Sequence, residues 1–167
     1  MISVIFGLCS CFFHIIGTFY VLHKFGRRTI MIIGNFVMGV SVFMTGIGLL
    51  YPESEIWGWC SVINVNIFIT AFSFSAGPVN WVYLAEILQP NAMSVAFFFH
   101  WGIIIIDAFA LPDDPADIAY LFITCGIFTL IGFILIIIYV PETKGKNQTQ
   151  IDRLFYKPSG NQKYVDD

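Results

Sequence analysis

The stretch Gly77-Pro78-Val79-Asn80-Trp81-Val82-Tyr83-Leu84-Ala85-Glu86-Ile87-Leu88-Gln89-Pro90 governs how this chain is to be read. It closes an apolar run that begins near Trp57 and is long enough to cross a bilayer, with a Gly-Pro pair inside the run and a carboxylate at its end. A proline inside a helix removes a backbone donor and clashes with the preceding turn, so a break or bend is expected at about Gly77. In lipid such a break survives only where protein or a water-filled cavity surrounds it. Freed backbone groups beside an aromatic face, here Trp81, are what a solute pathway at mid-depth requires. A proline kink that serves helix packing alone is the competing reading.

Composition sets the class. Of the 167 residues, 57% are hydrophobic and 11% charged, with a mean hydropathy of +0.80. A soluble domain carries roughly a quarter charged residues, so the chain is expected to be an all-α, multi-pass integral membrane protein with the lipid bilayer as its solvent and no nucleic-acid partner. A bilayer core of about 30 Å needs about 20 apolar residues per helix. Five spans meet that length: Ile2 to Leu22, Ile30 to Leu50, Trp57 to Leu88 with the break inside, Ala92 to Leu111, and Ile118 to Val140. The third is overlong and is expected to project into water at its Glu86 end. The first lacks a preceding Lys or Arg and is too long for the apolar region of a secretory signal, so it reads as a true span. The chain thus divides into a five-span membrane bundle, 1–145, and a polar tail, 146–167, whose last residues from Lys157 to Asp167 are expected to be extended or mobile.

Charge placement orients the bundle. Every Lys and Arg lies in His23 to Arg28 or in the tail from Pro141: Lys24, Arg27, Arg28, Lys144, Lys146, Arg153, Lys157 and Lys163. Glu53, Glu55, Asp113, Asp114 and Asp117 occupy the two segments between, which hold no base. The excess of Lys and Arg in cytoplasmic loops then puts the amino terminus outside and the carboxyl terminus inside, in a plasma membrane or an organelle inner membrane.

Several groups inside the spans need a reading each. Cys9, Cys11, Cys60 and Cys125 lack metal-ligand spacing and read as small packing residues, with a Cys9/Cys11 redox or metal pair as the weaker alternative. No metal or cofactor is expected. Asp107 is expected to reach the outer interface, because a charge at bilayer depth costs about 2.5 to 3.5 kcal/mol on insertion scales. His14 and His100 are expected to be neutral and bonded to a neighbouring helix, with proton relay the alternative. Asn64 and Asn66 are expected to bond across helices or to be wetted. Gly34, Gly39, Gly46, Gly48, Gly126 and Gly132 suit close helix contact, and Phe97, Phe98 and Phe99 suit packing or lipid.

Three motifs in order carry a family resemblance. The basic loop Gly26-Arg27-Arg28, the break Gly77-Pro78-Val79-Asn80-Trp81-Val82-Tyr83 followed by Glu86, and Pro141-Glu142-Thr143-Lys144-Gly145-Lys146 resemble the sugar porters of the major facilitator superfamily, and Gln150-Ile151-Asp152-Arg153-Leu154-Phe155 looks like that family's usual continuation. The resemblance covers essentially the whole chain but only the family's spans eight to twelve. It implies the carboxyl-terminal bundle of a major facilitator transporter, with Arg27, Arg28, Glu86 and Glu142 forming a cytoplasmic charge network.

At the solute-contacting positions the resemblance implies Trp81, Ser73, Cys11 and His100, and here the chain departs from the family. Cys11 stands where the family carries a sugar-binding Asn, Ser73 where its glucose facilitators carry a carboxylate, and His100 and Ile104 where it carries two amides; Trp81 alone is retained. A buried hydroxyl left without a partner costs about 1 to 3 kcal/mol, so losing three such partners is expected to abolish millimolar sugar recognition. His23 and Asn80 also differ, and an Arg usual between Glu86 and Trp101 is missing, which leaves Glu86 one partner short.

Two functions follow. One is the carboxyl-terminal half of a sugar-porter-like transporter, working by alternating access with a second bundle: a missing amino-terminal half, a second copy, or other membrane subunits. The other is a degenerate half-transporter acting as a non-transporting accessory subunit of a larger membrane complex. No nucleophile, metal cluster or phosphate loop is present, so an enzyme is set aside.

Overall fold

The computed structural model describes residues 25–109, 112 and 114–155, together with positions 12 and 15. The first expected span therefore lies outside the described residues except for Phe12 and Ile15, which are helical and exposed. Cys9, Cys11, His14, His23, Lys24 and the tail from 156 also lie outside, as does the side chain of Asp107.

Among the residues described from 25 onward, six helices follow in order: α1 Arg27–Leu49, α2 Glu55–Phe74, α3 Ala76–Ile87, α4 Pro90–Phe109, α5 Pro115–Tyr139 and α6 Gln148–Phe155. Among the described residues there is no strand. Among the described residues, three stretches are long and apolar enough to cross a membrane, namely α1, α2 with α3 (Glu55–Ile87), and α5 from Ala116; α4, expected to be a full span, contributes a shorter apolar helix, Pro90–Ile106. Helices form because a backbone in lipid must satisfy its own N–H and C=O groups. Two buried hydroxyls of α1 comply within their helix: Ser41 donates to Val37 O and Thr45 to Ser41 O, both at 2.8 Å. Asn64 and Asn66 do the same, donating to Cys60 O at 2.9 Å and Val62 O at 2.7 Å. That corrects the expected bonds across helices, because the carbonyl one turn back is the nearest acceptor.

The break falls at Ser75, two residues before Gly77. Ser75 sits at φ −122°, ψ −87°, outside the helical region, and separates α2 from α3. The displacement follows from proline geometry, since the ring of Pro78 collides with the carbonyl of the residue four earlier, Phe74. Once α3 restarts at Ala76, Pro78 lies in its first turn, where a missing N–H costs nothing. Ser75 closes the gap: its N–H donates to Ala71 O at 3.0 Å, its hydroxyl donates to the same oxygen at 2.6 Å, and its carbonyl accepts from Val79 N at 2.9 Å.

α1 is the centre of the bundle, packed along α5 on one side and α2 on the other, while α4 meets the rest chiefly through α3. Close approach needs small residues. A Cβ on Gly126 of α5 would lie 2.7 Å from the backbone of Phe43 on α1. Elsewhere the bundle shows lipid-type surface: Phe98 is 74% exposed and Phe109 88%. α5 begins on Pro115 behind an Asp114 cap, whose carboxylate accepts from Ala116 N at 2.9 Å. Arg27, Arg28, Lys144 and Lys146 lie at one end of the bundle, which we call the basic end. Glu53, Glu55, Asp114 and Asp117 lie at the other, where Tyr51 stacks on Trp57 at 5.7 Å. The segment after Lys146 includes a further element, α6, which buries Ile151 to 4% against the bundle.

Candidate functional site: the basic end and the aromatic face of the broken span

α1 starts without a cap of its own, because Gly26 at its N-cap offers no side chain. Its unpaired N–H groups are met from the far end of the sequence. Glu142 Oε1 accepts from Arg27 N at 2.9 Å and Oε2 from Arg28 N at 3.2 Å. The carboxylate also meets the positive end of the helix dipole. Gly26 is what admits it, since a Cβ there would overlap Glu142 Oε2. Gly145, at φ +76°, turns the chain just beyond, and Lys144 N donates back to Glu142 Oε1 at 3.0 Å.

A second carboxylate completes the cluster. Arg27 Nη2 donates to Glu86 Oε1 at 2.9 Å, with the two side chains 21% and 24% exposed. Thr143, 2% exposed, donates its hydroxyl to Glu86 Oε2 at 2.6 Å, and Gln148 Nε2 donates to Glu86 O at 3.2 Å. The opposite helix end is served in the same way, with Arg28 Nη2 donating to Ile137 O at 2.8 Å in the last turn of α5. The structure thus brings Arg27, Arg28, Glu86 and Glu142 together and ties α1, α3, the end of α5 and α6 into one polar knot. Thr143 and Gln148 were missed as partners in reading the sequence; Thr143 supplies the carboxylate partner that Glu86 was expected to lack, while Gln148 holds the backbone carbonyl of Glu86. Nothing local marks them, because both reach Glu86 through the fold.

Farther along α3, Trp81 lies flat on Phe97 of α4, ring centroids 4.4 Å apart and planes 7° apart. His100, one turn on, sets its ring edge-on to Trp81 at 4.9 Å and 88°, and to Trp101 at 5.7 Å. Among the described residues these ring contacts, not the expected hydrogen bond, hold the imidazole. Phe98 and Phe99 are exposed.

Residues 1–155 match the family model for sugar (and other) transporters. The chain belongs to the sugar transporter family. Similar proteins include the facilitated trehalose transporter Tret1 of Apis mellifera ligustica, 28% identical over 93% of this chain and 33% of that protein. The facilitated glucose transporter member 3 of Rattus norvegicus is 32% identical over 89% and 31%, and the arabinose-proton symporter of Bacillus subtilis 26% over 93% and 34%. This sugar transporter chain therefore spans about a third of the length of the curated relatives it matches. Its fold is shared with the inward-open xylose transporter XylE of E. coli, at a TM-score of 0.75 and 23% identity, over 91% of this chain and 35% of that one. It is an integral membrane protein with the fold of a major facilitator transporter.

The positions singled out for solute in this sugar transporter chain divide. Trp81 and His100 come together with Phe97 at the α3–α4 junction. Ser73 is fully buried and donates its hydroxyl to Ile69 O at 2.8 Å. Cys11 lies outside the described residues. Gly77 and Pro78 stand in the first turn of α3, just past the break.

Proposed function

We propose that this chain is the carboxyl-side bundle of a sugar-porter-like transporter and moves solute only together with a second bundle, by alternating access. The observation that carries the reading is the knot at the basic end, where a partly buried Arg27–Glu86 pair and a Glu142 cap join a broken span to its neighbours. Such contacts can form and part as bundles rock, while the break at Ser75 lies in the span that bears Trp81. In this reading the basic end faces the cytoplasm, by the bias of Lys and Arg toward that side. The apolar faces of α4, exposed here, meet lipid and the second bundle. The solute is a sugar in this reading, as the names of the relatives suggest, and the chain acts as a carrier and not as an enzyme.

The second reading, an accessory subunit without transport, rests on its own observation. Ser73 is tied to backbone and the Trp81 face is covered by Phe97, so groups a polyol needs are already engaged by protein. Proteoliposome uptake of labelled glucose, xylose and trehalose decides between them, measured for the chain alone and co-reconstituted with the amino-terminal bundle of a sugar porter. Uptake only in the combined vesicles supports the transporter. Uptake by the chain alone overturns the need for a second bundle, and a stable complex with no uptake favours the accessory subunit.

A further inference from the structure

Pro78 forbids an unbroken helix across Phe74, but it does not fix the angle at which α3 leaves α2. That angle matters, because α3 carries both Trp81 and Glu86. Glu86 follows Ser75 by eleven residues, about 16 Å along a helix that rises about 1.5 Å per residue. A tilt of about 10° at Ser75 therefore carries Glu86 by about 3 Å. That parts it from Arg27 Nη2, to which it is bonded at 2.9 Å.

The break is held from α1. Ser75 is 2% exposed, and its side chain fills the space where a Cβ on Gly34 would stand, overlapping it with both Cβ and Oγ. Outside α1, and among the described residues, no other atom comes closer to that point than the Ser75 Cα at 3.6 Å, an ordinary contact. On its own side Ser75 is tied to Ala71 O by its N–H at 3.0 Å and its hydroxyl at 2.6 Å. Gly34 and Ser75 also line a cavity of about 690 Å³ between α1 and α2, with Val37, Ile67, Thr70 and Phe74. A serine pushed from its place thus has room to move, and α1 need not part from α2. One similar contact joins these helices elsewhere: a Cβ on Gly48 would overlap Ser61 Oγ, but Ser61 lies within α2, away from the break.

From this geometry we infer that Gly34 is a positioning residue for Glu86 and Trp81: it is the seat in which Ser75 fixes the break, and so sets the direction in which α3 delivers both side chains. Only glycine provides the seat, because any Cβ competes with the serine for one volume. Alanine at position 34 expels Ser75, α3 tilts, and the Arg27–Glu86 pair loosens together with the stack of Trp81 on Phe97. Removing the Ser75 side chain gives the room back. This role deepens the transporter reading and rests on it for what Trp81 and Glu86 do, but the seat is tested without transport.

Thermal unfolding of the full chain in nanodiscs reads the drop in midpoint that Glu86→Gln causes in four backgrounds: wild type, Gly34→Ala, Gly34→Ala with Ser75→Gly, and Gly48→Ala. In Gly34→Ala the drop is expected to fall to about half or less, because the pair is already parted, and to return in full once Ser75→Gly frees the seat. Gly48→Ala is expected to lower the midpoint by overpacking and yet to leave the drop from Glu86→Gln in full. A glycine that serves packing alone gives one drop in all four backgrounds, and that result overturns the inference. So does an equal reduction in Gly48→Ala, a drop that stays small after Ser75→Gly, or no drop in the wild type, which leaves no pair to position. If Gly34→Ala alone does not fold, a folded double variant with the full drop supports the seat, and a double variant that does not fold overturns it. Failure of the transporter reading would appear instead as absent uptake, with these midpoints unaffected.

Discussion

Gly26 and Glu142 lie far apart in sequence and act as one cap. Gly26→Ala introduces a Cβ where the Glu142 carboxylate sits, so it is expected to displace that carboxylate from the N–H groups of Arg27 and Arg28. The expected loss is about 0.5 to 2 kcal/mol, the range of an N-cap. Combined with Glu142→Gln, the two costs are expected to add to less than their sum, since both act on one contact; chemical denaturation of the four chains in detergent checks this. Glu86→Gln tests the other carboxylate. Removing one partner of a fully buried ion pair costs about 3 to 5 kcal/mol and of an exposed pair about 0 to 1. Side chains 21% and 24% exposed place this pair between the two, so a loss of about 1 to 3 kcal/mol is expected, with less salt dependence than a surface pair shows. A loss indistinguishable from zero would mean that Thr143 and Gln148, not Arg27, hold α3 in place.

Among the elements, the broken span is the most telling. Its existence was legible from Gly77-Pro78 inside an apolar run, but its position was not, because a proline acts on the carbonyl one turn behind it and the break therefore settled on Ser75. Pro78→Ala removes the ring and restores an N–H for Phe74 O, so α2 and α3 are expected to join into one straighter helix. Spin labels at positions 57 and 87 would then report a longer and narrower distance distribution, and amide exchange at 75–79 would slow. Unchanged distances would show that packing around Ser75, not the proline, sets the break. α6 shows the opposite limit of legibility. In Gln150-Ile151-Asp152-Arg153-Leu154-Phe155 only one residue is buried, and so short a helix forms because Ile151 finds a bundle to pack on.

At the level of the bundle, two glycines of α5 that look alike in sequence have different surroundings. Gly126 meets the backbone of Phe43, whereas nothing lies within 4 Å of a Cβ on Gly132. Gly126→Leu is expected to force α5 from α1 and cost about 1 to 3 kcal/mol or more, and Gly132→Leu is expected to be nearly neutral. Melting of both variants in detergent checks the contrast, and equal losses would mean that the α1–α5 contact is not the one described. Periodicity could not separate the two, because in an almost uniformly apolar helix no stripe distinguishes lipid from protein.

Composition and order along the chain were enough for the class, the approximate limits of the described helices, and the grouping of Arg27, Arg28, Lys144 and Lys146 at one end, because burial in lipid and the length of a helix are properties of each segment alone. The partners of Glu86, the cap on α1, the stacking of Trp81 on Phe97 and the engagement of Ser73 emerged from the packed bundle. Each is a contact between residues remote in sequence, and its distance depends on how helices cross and not on what either helix contains.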